Sequence, residues 1–521
     1  MTNPSTLYRG GVLYCPAEPS ATALLVSGGR ITWLGTDGDA PPADRVVDLD
    51  GALVTPAFVD AHVHATDTGL ALSGLELSGV RSAAQLLDAV AGFAAGLPAD
   101  AVVLGHGWDE SGWSDPSLPD AAALDRAAGG RRVYLSQASI HSALVSSALL
   151  AACPQAAQAA GFDASGWLRR DAHHVVRAAA QGSVSRAQRV AAQRVALSHA
   201  ASLGIAAVHE CGGPDISDEE DFTGLLGVSG AGVPEVYGYW GELGGAARAR
   251  ELGAVGAGGD LFADGALGSR TAHVSQAYGD GDGCGHGYLT AEQVRDHLVD
   301  CAAHGMQGGF HAIGDAAIGT VLDGFAAAAE TVGLERLRAA RHRIEHAEIM
   351  NKRLIARFVE YGVVASMQPA FDRLWGGAGR MYEARLGLDR SLESNPMGAM
   401  HSVGVALAFG SDSPVTPLDP WGSVRAAAAH HNPAQRMGVR SAFAAHTRGG
   451  WRAVHLDVEG VLALGAPATF AVWSTPAGVE RGLPVLLAED PELRGPDDPT
   501  PLPVCRRLVL RGEVIYEEGS S

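Results

Sequence analysis

Apolar and polar positions follow two periods along this chain. The first fifty residues alternate in short runs, GGVLYC, ATALLVSGGRITWLGT and DRVVDLDGALVTP, punctuated by Gly-Gly, Asp-Gly and Pro. Period-two alternation broken by turn residues predicts β-hairpins. The C-terminus repeats the pattern in ATFAVWST and PVCRRLVLRGEVIYE. We therefore expect one small composite β-sandwich domain built from residues 1–53 and 458–521.

The middle of the chain reads differently. Eight apolar runs recur there: VTPAFVDAHVHA, AAVHECG, PEVYGYW, GDLFADG, QGGFHAIGD, RHRIEHAE, VVASMQPA and VALAFGSDSPV. Amphipathic stretches such as AEQVRDHLVDCAAHG and NKRLIARFVEYG separate most of them. Strands alternating with helices imply a parallel sheet. Eight such units predict an α/β fold, a (β/α)8 TIM barrel, over residues 54–457. Two further apolar runs, AVVLGHGW and RRVYLSQASI, are assigned to an insertion at about residues 70–200 between the first two barrel strands.

Composition narrows the partners. The 521 residues are 47% hydrophobic and 18% charged, enough for a large core without disulfide support. The formal charge of −20 disfavours nucleic acid and anionic membrane. The six cysteines form no CxxC pair, and no secretory leader or run of about 18 apolar residues is visible, so a cytoplasmic protein acting on a small-molecule substrate is expected.

The chemistry concentrates where the apolar runs stop. His62 and His64 form H-x-H, and residues two apart on a strand face the same side. His311, His346 and Asp412 each end another run. In a parallel barrel those strand ends share one face, which carries the active site. Four imidazoles and a carboxylate suit a divalent ion, zinc first, with iron, manganese and nickel as other candidates. Such an ion activates water and polarises a carbonyl, and Asp412 could carry the proton as general acid/base. Hydrolysis at a carbon bearing nitrogen is the expected reaction. Weaker candidates for substrate binding are Trp108 and Asp109 in GHGWDESGW, Arg270, which could grip a carboxylate or brace its loop against Asp264, and Gln368 at the end of SMQ. Glu210 and Cys211 could supply a substitute ligand, although simple packing is preferred for Cys211.

Taken together, PAFVDAHVH, GHGWDESGW, LFADGALGSRTA, GGFHAIGDAAIG, HRIEHAE and FGSDSPVTPLDPW resemble the amidohydrolase superfamily, within it the large branch that includes N-substituted formamide deformylases. The resemblance implies that His62, His64, His311, His346 and Asp412 are metal ligands, with Asp412 and His346 catalytic. It also matches His141 to a histidine placed over the site, and it makes a homodimer an expectation. Relatives usually carry a lysine, carbamylated to bridge two metals, where this chain has Asp260. Either Asp260 reaches the metals through a shifted backbone or a second ion is lost. One tightly held ion is the favoured expectation, and two remain open. A deaminase of a cyclic amidine or heterocycle is the alternative chemistry, ester or lactone hydrolysis a third, and a non-catalytic metal-binding scaffold the alternative from another class.

Overall fold

The computed structural model describes residues 4–519 apart from 139–141, 231 and 496. The chain forms two compact units, residues 66–196 and the remainder.

The larger unit contains the barrel. Its strands are β1 (Phe58–Val63), β2 (Ile205–Gly212), β3 (Glu235–Trp240), β4 (Gly256–Ala257), β5 (Gln307–Ala312), β6 (Arg343–His346), β7 (Val364–Met367) and β8 (Ala406–Phe409). They pair in parallel in sequence order. The ring closes between β1 and the residues after β8. Val63 bridges Ser413, Asp412 N–H donates to His62 O at 2.8 Å, and His64 N–H donates to Ser413 O at 2.9 Å. The chain is thus an α/β protein with a (β/α)8 barrel. The two helical stretches singled out above fold as Ala291–His304 and Lys352–Tyr361. The first carries a capping box at Thr290 and Gln293, and both end at a left-handed glycine, Gly305 and Gly362.

One strand departs from expectation. GDLFADG was expected as the fourth strand, but β4 lies just before it and is only two residues long. The local sequence GAGGD explains this. A Cβ on Gly258 would come within 2.3 Å of Gly309 N, and Gly259 has φ +79°. Glycine lets the backbone leave the sheet there and turn across its neighbour. Asp260 follows that turn.

Both termini add two β-sheets to this unit. One joins Arg30–Gly35, Ala23–Ser27, Thr6–Arg9 and Arg45–Asp48, and the other joins Val12–Leu13, Leu53–Pro56, Phe470–Ser474, Val504–Leu510 and Glu513–Glu517. Leu13, Leu24, Val26, Ile31, Val54, Phe470, Val472 and Val509 form the core between them.

The smaller unit, residues 66–196, holds a five-stranded sheet that includes Val103–Trp108 and Val133–Gln137. Its core packs Leu86, Val90, Val103, Trp108, Leu124, Val133 and Leu135. No helix among the described residues is long and apolar enough to cross a membrane.

Candidate metal centre

Six side chains converge at the C-terminal ends of the barrel strands. His62 comes from β1 and His64 from the residue just after it, His311 from β5, His346 from β6 and Asp412 from the loop after β8. Asp260 joins them from its glycine turn. His62 Nε2 lies 3.5 Å from Asp260 Oδ1 and 3.5 Å from Asp412 Oδ1. His64 Nε2 lies 3.2 Å from Asp260 Oδ2 and 3.2 Å from Asp412 Oδ1. His311 Nδ1 and His346 Nε2 approach Asp260 Oδ1 at 3.4 and 3.7 Å.

The other nitrogen of each imidazole is already engaged. His62 Nδ1 meets Glu345 Oε2 at 3.0 Å, and His64 Nδ1 meets Cys211 O at 3.1 Å. His346 Nδ1 meets Gln368 Oε1 at 2.9 Å, while His311 Nε2 faces Gly265 O at 3.3 Å. Each acceptor fixes a tautomer whose bare nitrogen points inward. His62 Nε2, His311 Nδ1 and Asp260 Oδ1 are buried with no hydrogen-bond partner. Burying such atoms unpaired is costly. A cation resolves the cost. Ligands about 2.1 Å from a tetrahedral ion stand about 3.4 Å apart along each edge, and the donor separations above cluster around that value. The residues present therefore fit a divalent ion.

The electrostatics agree. Burial alone would raise the Asp260 carboxyl pKa, but His62, His311 and His346 hold it well below the usual carboxylate range. Burial would lower the pKa of His64, yet its contacts with Asp260 and Asp412 raise it well above the ordinary imidazole value. Against the same effect of burial, the Asp412 pKa is likewise lowered by His62, His64 and His346. Two carboxylates held ionised in a buried site favour positive charge between them, which a proton on an imidazole or a metal cation can supply. Backbone strain marks the same residues, since His346 and Asp412 have φ of +71° and +57°.

The remaining candidates fall elsewhere. Trp108, expected to line a substrate site, is fully buried in the core of the smaller unit, and its indole N–H donates to Leu135 O at 2.8 Å. It has no surface to offer a ligand. Asp109 caps a short 3-10 helix, accepting from Ser111 N at 2.9 Å. His141 lies outside the described residues. Arg270 pairs through two nitrogens with Asp280, each at 2.9 Å, and so braces its loop through Asp280 rather than Asp264. Asp264 accepts instead from the backbone N–H groups of His273, Ile313 and Gly314. Glu210 holds the Ala65 N–H at 2.7 Å, and the Cys211 thiol is buried against His62 Nδ1 at 3.4 Å. Gln368 is buried beside His346, with its Nε2 unpartnered.

Arg343 and Glu345 had no role assigned from the sequence. The available signal was a pair of opposite charges two residues apart within a barrel-strand run, which places both on one face.

Comparison with known proteins gives a family match over residues 45–516, to the amidohydrolase family. YtcJ of Bacillus subtilis (strain 168), whose name assigns it provisionally to the amidohydrolases, is 27% identical over 277 residues, 50% of this chain and 47% of that protein. Protein LONG AFTER FAR-RED 3 of Arabidopsis thaliana is 32% identical over 225 residues, 41% of this chain and 38% of that one. The chain's matches thus span less than half the length of these two curated relatives. A solved structure described as an uncharacterized metal-dependent hydrolase from Pyrococcus furiosus superposes with a TM-score of 0.75 at 25% identity, covering 90% of this chain and 98% of that one. Its counterpart from Pyrococcus horikoshii, at 22% identity and a TM-score of 0.74 over 92% and 99% of the two chains, shares the fold.

Proposed function

Because the chain belongs to the amidohydrolase family, we propose that it is a metal-dependent hydrolase cleaving a carbon–nitrogen bond of a small molecule, of the amide or amidine type. The convergence of inward-facing imidazole and carboxylate atoms, three of them buried without a partner, carries this reading.

His62, His64, Asp412 and Asp260 would hold the ion, with His311 and His346 on the other side of Asp260. A bound divalent ion, zinc first, supplies Lewis acidity toward water and toward a substrate carbonyl. The protein's own groups do the rest. Asp412 keeps part of its side chain exposed, at 10%, so it can take a proton from attacking water and return it to the leaving nitrogen. Gln368 accepts from His346 Nδ1 and so keeps that ring's Nε2 turned inward. The free Nε2 of Gln368 is a buried donor suited to a substrate oxygen. The shared motifs support the N-substituted formamide deformylase branch as the finer assignment.

The test is hydrolysis across a panel of N-formyl compounds, other amides and cyclic amidines. Each is assayed with native protein, with chelator-stripped protein and after zinc is returned. Activity should vanish on stripping and return with zinc, with formate and an amine as products. Ammonia release from an amidine would move the assignment to deamination. A protein that binds metal but hydrolyses nothing in the panel would be the scaffold instead.

A further inference from the structure

Beneath the ligand ring the barrel interior is polar. Interior layers of such barrels are usually filled by branched aliphatic side chains. Here Arg343 and Glu345, both with no exposed surface, occupy that place. Arg343 Nε donates to Glu345 Oε1 at 2.9 Å and Nη2 to Glu345 Oε2 at 2.8 Å. The same guanidinium reaches Ala61 O on β1 at 2.6 Å, His209 Nδ1 on β2 at 2.9 Å and Ser366 Oγ on β7 at 2.9 Å. It also lies over the Tyr239 ring of β3 at 4.3 Å. A buried ion pair is a poor way to gain stability, because desolvation of two charges offsets most of their attraction. Its geometry indicates another role. Glu345 Oε2 accepts not only from Arg343 but from His62 Nδ1, at 3.0 Å.

We propose that Arg343 and Glu345 are positioning residues for His62: the fully buried pair fixes the imidazole's tautomer and direction, and thereby sets the affinity of the metal centre. The inference rests on the metal-centre reading above. Arg343 ties the Glu345 carboxylate to four other strands, and the carboxylate locks His62. Nδ1–H donates downward to Glu345, and Nε2 is left bare toward Asp260 and Asp412. A carboxylate behind a ligand imidazole also makes it a stronger donor.

The experiment measures zinc affinity of the stripped full-length chain by competition with a chromophoric chelator, alongside its melting temperature. Arg343→Met combined with Glu345→Met removes both charges and the acceptor behind His62 at similar volume. Glu345→Asp keeps the negative charge in the barrel and draws the carboxylate back by one methylene from both His62 and Arg343. Tyr239→Phe removes the hydroxyl that donates to Gln307 Oε1 and keeps the ring under Arg343, with the Arg343–Glu345 pair intact. We expect zinc to bind about 10- to 100-fold more weakly to the first two, with Tyr239→Phe at the native value even where its melting temperature falls. Native zinc affinity in the folded first two variants would overturn the inference, since a purely structural brace changes stability and not affinity. If the double variant does not fold, Glu345→Asp decides alone. A native chain that binds no zinc would overturn the metal centre itself, and this inference with it.

Discussion

The two sides of the ligand ring are built differently. His62, His64 and Asp412 stand at the closure of the barrel, where β1 and the residues after β8 exchange backbone hydrogen bonds. Their imidazoles are backed by a carboxylate and a carbonyl at 3.0 and 3.1 Å. Asp260 follows the two-residue β4, His311 stands on the neighbouring β5, and His346 on β6 beyond it. His346 is backed by a neutral amide, His311 by a carbonyl at a longer 3.3 Å, and Asp260 by a glycine turn. Preorganised ligands bind more tightly than ligands that must be ordered on binding. The first side should therefore hold an ion firmly, and the second should be the adjustable one. Asp260 belongs to both, since Oδ2 faces His64 while Oδ1 faces His62, His311 and His346.

The largest effect should come from the firm side. Asp412→Asn keeps a ligand oxygen but removes the proton carrier. The expected loss in kcat is about 10²- to 10⁴-fold, with bound metal falling far less. A loss of metal equal to the loss of activity would mean that Asp412 acts only as a ligand.

Asp260→Asn probes the join between the sides. The native chain should take up one ion tightly and a second more weakly, and the variant should lose the second. Stoichiometry measured across a zinc titration checks this. A native limit of one ion, unchanged in Asp260→Asn, would reduce the second side to substrate-facing donors.

The sequence made one side far more legible than the other. H-x-H on a strand and Asp412 after an apolar run announce themselves, because strand periodicity fixes where their side chains point. The barrel and the composite terminal sheets were legible for the same reason. Asp260 was readable as a residue but not as a position, because its reach depends on two glycines whose torsions no pattern specifies. Arg343 and Glu345 stand plainly in the run HRIEHAE, yet their partners Ala61, His209 and Ser366 lie on other strands. Only the closed ring brings them together. Trp108 misled for a related reason, since an aromatic in a loop-like motif serves a core as readily as a binding site.

The floor of the second side offers a pH test. His342 precedes β6 and accepts from Gly308 N–H at 2.7 Å. Burial, reinforced by the charge of His297, lowers its pKa from 6.5 to about 3. The folded protein then binds one proton fewer than the unfolded chain between those values. Stability from this group is complete above pH 6.5 and is lost as pH falls toward 3, by up to about 1.4 kcal/mol per pH unit. His342→Asn keeps an acceptor in place and removes the titration. Its urea midpoint should fall less between pH 7 and pH 5 than that of the native chain. Equal falls would show that His342 is protonated in the folded state.

The smallest effect is expected at Arg270, in the loop after Asp260. Its guanidinium is bidentate to Asp280, which Arg385 also engages. Arg270 is 43% exposed, so solvent screens the pair and it adds little to stability. Arg270→Met should shift the melting temperature slightly and leave KM within about threefold, since the exposed pair is screened by solvent. A large rise in KM confined to anionic substrates would show that Asp280 releases Arg270 to bind a carboxylate. The adjustable side of the ring would then extend outward into the loop that follows it.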